Sequence, residues 1–431
     1  MAYLDHSKSE DDEPGPGERR GTRSDIDAAK SRPHRKANGV QSKQNSDKQG
    51  SGKQRSGKQR SGKQGLGKQG SGKQGSAKQS LTGQGTDGAV QKRAAHTRPP
   101  LRGIYSAIDL GTNNCRLLIA KPTRKGFRVV DAFSRVVRLG EGMTRNGCIS
   151  DVAMDRAIAA LRICADKIRK RGVTCMRHVA TEACRVAENA DDFLARVKAE
   201  TGLNIEIISA AEEARLAVMG CQSLVAPSNR HAMVFDIGGG STELIWVRMR
   251  PGKAAAIEGW MSIPWGVVNL TEAYGCQGGH VPPEAYERMV DKVREHLQEF
   301  EQAYRVSEHA GSRRVQFLGT SGTVTTLASL HLELPRYMRD KVDGAWMKAA
   351  DIRALSGRVA LMAYDERAAQ PCIGAERADL VVAGCAILDA ILGMWHVPSL
   401  RVADRGIREG ILRGLMQVDP LPIQAYKPSH L

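Results

Sequence analysis

The chain has 431 residues, 26% of them charged, and a formal net charge of +17 at pH 7. One hydrophobic core rarely serves so long a chain, so two or three domains are expected. The basic excess is uneven: residues 1–100 hold 21 Lys and Arg against 10 Asp and Glu, whereas the other 331 hold 43 against 37.

Up to Pro100 the only aromatic residue is Tyr3, and the apolar residues follow no helical or strand period. Such a stretch buries too little surface to offset the entropy of ordering it. Within it Lys48, Lys53, Lys58, Lys63, Lys68, Lys73 and Lys78 are each followed by Gln and set among Gly and Ser. Residues 1–100 are therefore expected to form a disordered, basic, flexible tail. A spacer role is the commoner outcome for such a tail. If it binds anything, charge without shape points to a polyanion such as polyphosphate or RNA. All nine cysteines come later, with no C-x-x-C pair, which favours reduced, buried thiols over disulfides or zinc. The acidic N-terminus, with no apolar run, does not read as a secretory signal. A cytoplasmic protein is expected, with no membrane span.

From Tyr105 to Ala120 and from Ala232 to Val247 the sequence echoes itself. Asp109 falls on Asp236, Gly111 on Gly238 and Leu117 on Leu244. Each copy reads as an apolar strand ending in Asp, a small-residue turn and a second apolar strand, so two related half-molecules follow. Ser150 then predicts the N-cap of a helix carrying Ile158, Leu161, Ala165 and Ile168 on one face and ending near Gly172. Residues 173–180 and 205–208 read as buried strands with a helix over 190–198 between them, an α/β alternation. A break at 225–231 sets the boundary between domains 101–228 and 229–420, with 421–431 as a C-terminal tail. In the second domain a long helix follows Pro282 and Pro283 to about Val306. A strand covers 315–319 and an apolar helix 378–394. The apolar window 380–395, broken by Gly384 and Asp389, is too short to span a bilayer.

Several segments carry candidate chemistry. The turns Leu110-Gly-Thr112-Asn113-Asn114 and Ile237-Gly-Gly239-Gly240-Ser241 crowd backbone N–H groups together without bulky side chains, which suits phosphate oxygens. A lone Gly-rich hairpin is more often only a tight turn. Repetition of Asp before glycine, at Asp109 and Asp236, is not needed for turning a chain and favours a site. An aspartate there would act on phosphate through Mg²⁺ or its waters. Ser321, Gly322 and Thr323 sit where a strand runs into a helix start, whose free N–H groups either hold phosphate or are simply capped. No Walker pattern is present. Ser209 and Glu212 have capping-box spacing, which leaves Glu213 without a capping duty at the carboxyl end of a strand. Arg185, just past another strand, is placed either to clamp a phosphate or to form a surface ion pair.

These segments, with Arg377-Ala-Asp and Asp404-Arg-Gly-Ile-Arg-Glu-Gly, resemble the exopolyphosphatase and guanosine-pentaphosphate phosphatase family of the actin-like superfamily, in unbroken order over residues 103–418. The resemblance implies two actin-like, ribonuclease H-like α/β domains with a cleft between them. It implies Glu213 as the general base that activates water, Arg185 as a phosphate clamp, and Asp236 and Glu243 as part of a Mg²⁺ site. Asn113, Gly239, Gly240, Ser241, Ser321 and Thr323 would line a phosphate channel. Longer family members add a C-terminal helical domain, so processive action on long chains is not implied for a chain that stops at Leu431.

The expected activity is hydrolysis of a terminal phosphoanhydride, in inorganic polyphosphate or in the 5′-phosphate of guanosine pentaphosphate. An ATP-dependent kinase or ATPase of the same superfamily and a non-catalytic polyphosphate or nucleotide sensor are the alternatives. A homodimer is left open.

Overall fold

The structure, a computed structural model, describes residues 103–124, 126–250, 255–276, 278–312 and 314–416. The expected basic tail over 1–100 and the segment 421–431 lie outside the described residues.

Strands β1 (Tyr105–Leu110), β2 (Asn114–Thr123) and β3 (Gly126–Val136) form an antiparallel meander. Helices α1 (Met143–Asn146) and α2 (Asp151–Arg171) follow. Then β4 (Cys175–Ala180) pairs parallel with β1. After α3 (Glu182–Val186) and α4 (Ala190–Thr201), the short β5 (Glu206–Ile207) completes a sheet of order β3-β2-β1-β4-β5. Helix α5 (Ala210–Cys221) leads to the second half.

There the plan repeats. Strands β6 (His231–Ile237), β7 (Thr242–Arg248) and β8 (Ala256–Ile263) form a second meander. After α6 (Val267–Ala273) and α7 (Pro283–Tyr304), β9 (Val315–Thr320) pairs parallel with β6. The chain continues through α8 (Gly322–His331), α9 (Arg339–Val342), β10 (Trp346–Lys348), α10 (Ala349–Leu361), α11 (Tyr364–Ala369), α12 (Val381–Trp395), β11 (Ser399–Ala403) and α13 (Ile407–Leu415). Its sheet has the order β10-β11-β9-β6-β7-β8. The echo in the sequence is thus one hairpin of a duplicated sheet, with β1 and β6 at equivalent places.

Local signals explain several elements. Ser150 accepts a hydrogen bond from the Ala153 amide at 3.3 Å, and Gly172, at φ 61°, ends α2 in the left-handed conformation that glycine adopts cheaply. Helix α2 packs Ile158, Leu161 and Ile168 on Ile108, Leu117 and Ile119 of the first sheet. Helices α7 and α12 cover the outer face of the second sheet with Met289, Val293, Ile387 and Ile391. Helix α12 is apolar because it is buried almost all round. No helix among the described residues is long and apolar enough to cross a membrane. All nine cysteines are free thiols, and seven are buried.

Two helices lie between the sheets. Helix α5 presents Ala217, Val218 and Cys221 to Ala232, Val234 and Leu318 of the second sheet. Its Leu216 joins Ile411 and Leu412 of α13 against Tyr105, Ala107 and Leu118 of the first. The two helices cross nearly backbone to backbone. A Cβ at Gly410 would stand 2.1 Å from the Leu216 carbonyl oxygen, and one at Gly220 2.2 Å from that of Gly406. Helix α13 therefore returns to the first sheet, and the apolar residues of β1 and β2 lie buried between it and α2.

Candidate active site

Both Asp-containing strands end in turns closed alike. The Gly111 amide donates to the Asn114 carbonyl at 2.9 Å, and the Gly238 amide to the Ser241 carbonyl at 2.9 Å. The turns meet tip to tip. A Cβ at Gly239 would lie 3.0 Å from the Asn113 nitrogen, and one at Gly240 2.8 Å from Thr112 Oγ1. Only glycine allows that approach. The carbonyls of Gly238 and Gly239 accept from the Val267 and Val268 amides at 3.0 and 2.8 Å, and those of Thr112 and Asn113 from Gly140 and Val137 at 2.9 and 2.8 Å. The amides of Thr112, Asn113, Gly239 and Gly240 have no acceptor among the described residues.

Helix α8 brings further unpaired N–H groups, because the first turn of any helix lacks internal partners. Its N-cap, Ser321, has φ 91°, a conformation that costs a non-glycine residue on the order of 1–3 kcal/mol. Ser321 Oγ and Asn113 Oδ1 are both buried without a hydrogen-bond partner. Buried polar atoms are rarely left unpaired, so two facing one cavity point to a polar ligand. Gly384 of α12 makes room for Thr323, whose Oγ1 a Cβ would approach to 2.2 Å.

The cavity between the turns has a volume of about 110 Å³. Carboxylates of Asp109, Glu182, Glu213, Asp236 and Glu243 line it, with Arg116 and Arg377 as the cations. Burial, then the Glu243 charge, pushes the Asp236 pKa up to about 7. Burial also raises Asp109. Glu213 is raised well above the usual range by burial and by Glu243, against the opposing pull of Arg185. Glu243 is raised by burial, although Ser241 Oγ and Ser262 Oγ donate to its Oε1 at 2.7 and 3.0 Å. The acids thus outnumber their counter-charges, and a bound cation would relieve them.

Mg²⁺ fits this donor set in one particular way. Among the described residues no three acidic, His or Cys side chains converge into a ready-made cage. Mg²⁺ does not require one, since it commonly keeps several waters and is held by one or two carboxylates together with substrate phosphate.

Twelve of the residues singled out in the sequence line this one cavity: Asp109, Thr112, Asn113, Glu213, Asp236, Gly239, Gly240, Ser241, Glu243, Ser321, Gly322 and Thr323. Arg185 stands behind it. Its Nη1 donates to Glu213 Oε2 and to the Ile208 carbonyl, both at 2.9 Å, and its Nε and Nη2 donate to Glu182 Oε2 at 3.0 and 2.5 Å. The capping box expected at α5 is only half formed. Ser209 Oγ accepts from the Glu212 amide at 3.2 Å, but the Glu212 carboxylate pairs with Arg215 and Arg177 at 2.6 and 2.7 Å instead of turning back. These arginines, Arg215 foremost, hold its pKa near 2. Sequence reasoning missed Arg116, Glu182 and Arg377 as cavity residues. For Arg116 the signal was at hand, because the overlay of the two hairpins sets it on Glu243. In the sheets Asp109 pairs across with Arg116 as Asp236 does with Glu243.

A duplicated mixed sheet with a polar cleft between its halves defines an actin-like α/β protein. The family model of the Ppx/GppA phosphatase family matches residues 118–418, more than half of the chain. Solved structures agree with it. A Ppx/GppA family member from Aquifex aeolicus is 28% identical, with a TM-score of 0.60 over 73% of this chain and 97% of that one. An exopolyphosphatase from Cytophaga hutchinsonii is 25% identical, with a TM-score of 0.66 over 73% of this chain and 98% of its own. An exopolyphosphatase-like protein is 28% identical, with a TM-score of 0.66 over 73% and 99%. The chain belongs to the Ppx/GppA phosphatase family.

Proposed function

We propose that this protein hydrolyses the terminal phosphoanhydride of a linear polyanion, inorganic polyphosphate or the 5′-phosphate of guanosine pentaphosphate, in a cleft between domains 101–228 and 229–420. The observation that carries this reading is the convergence of two glycine turns and a helix N-terminus, all with unpaired N–H groups, on one cavity that also holds Glu213. Phosphoryl transfer spreads charge over equatorial oxygens, so fixed donors and cations stabilise it without covalent chemistry. The amides of Thr112, Asn113, Gly239 and Gly240 and the α8 N-terminus would bind those oxygens. Arg116 and Arg377 add positive charge. Glu213 would take the proton of the attacking water. Burial, then the Glu243 charge, raises its proton affinity above that of an ordinary carboxylate, which favours taking a proton from water. In this reading Arg185 restrains the Glu213 carboxylate from behind. Asp236 and Glu243, with Asp109 nearby, would hold Mg²⁺, which when bound neutralises the phosphate oxygens and the excess of buried carboxylates. The solved relatives that carry the name exopolyphosphatase support the choice of substrate.

The test is phosphate release with Mg²⁺, followed in parallel on short-chain polyphosphate and on guanosine pentaphosphate. Release from at least one is expected, and the ratio of the two kcat/KM values names the preferred substrate. No release from either would overturn the reading.

A further inference from the structure

Among the described residues Arg367 is the largest side chain wholly shielded from solvent, at 0% exposure. A buried cation is normally set against a carboxylate. Here the hydrogen bonds go to three backbone carbonyls, Nε to Ala378 at 2.7 Å, Nη1 to Met362 at 2.6 Å and Nη2 to Gly279 at 2.8 Å, and the Asp379 carboxylate acts on the guanidinium only through space. It thus ties the end of α10 and the approach to α7 to the linker that enters α12. Apolar packing would fill such a space at lower desolvation cost, so a buried charge there is a poor device for stability alone.

What it holds suggests a different use. Ala378 stands between two residues that face opposite ways. Arg377 lines the catalytic cavity and donates from Nη1 to Thr326 Oγ1 at 3.3 Å. Asp379 meets Arg138 of the first half at 3.0 Å and lines a second cavity beside the first, with Leu380 common to both. Holding the Ala378 carbonyl fixes the backbone between these two residues.

We infer that Arg367 is a positioning residue for the reaction, fixing Arg377 against the substrate phosphates and Asp379 against the facing half. It touches neither substrate nor metal. Its effect should therefore pass through Arg377, and should appear in substrate binding more than in the chemical step. This rests on the phosphohydrolase reading above.

The experiment compares wild type, Arg367→Lys, Arg377→Met and the double variant, by melting temperature and by initial rates of phosphate release from short-chain polyphosphate with Mg²⁺. Arg367→Lys keeps a buried cation but cannot reach all three carbonyls. It should fold, raise KM by about tenfold, the loss of one charged contact, and leave kcat nearly unchanged. The double variant should bind no more weakly than Arg377→Met alone, because the two changes remove one function. A lowered melting temperature with unchanged KM, or KM effects that multiply in the double variant, would overturn the inference. If Arg367→Lys fails to fold, Arg367→Gln, neutral with two N–H donors, takes its place. Failure of both would make Arg367 part of the core's stability and end the claim. Absence of phosphate release by the wild type would instead defeat the underlying reading and is visible in the first arm.

Discussion

The two hairpin turns at the cleft share length, register and closing hydrogen bond, yet differ in the charge set across from the aspartate. In the first, Asp109 faces Arg116; in the second, Asp236 faces Glu243. The first pair is close to neutral, while the amides of both turns are free to take an anion. The second pair is doubly acidic and calls for a cation. A duplicated scaffold has thus been given complementary charges, so that the two turns together fit a phosphate with its counter-ion, which neither fits alone.

The largest effect is expected where both turns meet the water. Glu213→Gln should preserve the fold and lower kcat by ~10²–10⁴, the usual worth of a positioned base. Steady-state rates at saturating Mg²⁺ check this, and near-normal turnover would place the base elsewhere.

Next come the two turns themselves. Asp236→Asn should reduce kcat/KM about 10–100-fold, the common cost of disturbing a metal site. It should also stabilise the metal-free protein above neutral pH. Because the folded state raises the pKa of Asp236 from 3.8 to about 7, it binds that proton more tightly than the unfolded chain, so stability falls as pH rises toward and through about 7. Asparagine removes that fall, which melting curves at pH 6 and pH 8 would show. Arg116→Met should act in the opposite sense on the metal-free protein. It leaves Asp109 without its counter-charge and lowers the melting temperature. KM should rise by roughly tenfold, as for one lost charged hydrogen bond.

A smaller asymmetry lies deeper in the sheets. His178 of β4, beside Ser106 Oγ at 3.2 Å, occupies the place where β9 has Gly319. Burial pulls its pKa from 6.5 to about 4. A histidine kept neutral by folding stabilises above pH 6.5 and loses that contribution as pH falls through 6.5 toward 4, at most ~3 kcal/mol at ~1.4 kcal/mol per unit. Denaturant melts of wild type and His178→Gln should converge over that window. The smallest effect is expected for Glu212→Gln. Its carboxylate serves half-exposed pairs with Arg177 and Arg215, which contribute ~0–1 kcal/mol, and its amide still donates to Ser209. A loss of turnover in that variant comparable to Glu213→Gln would mean that the two neighbours have been assigned the wrong way round.

Much of this site could be read from the sequence because its parts are local. Glycine turns, the Ser209 cap and the position of Glu213 one residue round the helix are all set within a few residues of each other. The duplicated hairpins also showed the two halves. What escaped depends on partners distant in sequence. Arg116 has its place only through strand register, although the overlay on Glu243 carried the hint. Glu182 and Arg377 reach the cavity because a short helix and a linker are held there by Arg185 and Arg367. The Glu212 carboxylate left its capping role because Arg177, from a neighbouring strand, offers a charged partner. The return of α13 to the first sheet has no local signal beyond Gly410, whose missing side chain permits the crossing. Strands β3 and β8 escaped too, since edge strands with one open face carry a weaker apolar pattern.

The most direct test of the division of labour between the turns is calorimetric titration of Mg²⁺ into wild type, Asp236→Asn and Arg116→Met, without substrate and at one ionic strength. Binding should be lost or weakened at least tenfold in Asp236→Asn. In Arg116→Met it should be retained or tightened, because the cavity has lost a competing positive charge. Equal Mg²⁺ affinity in wild type and Asp236→Asn, or loss of binding in Arg116→Met alone, would contradict the assignment of the cation to the acidic pair of the second turn.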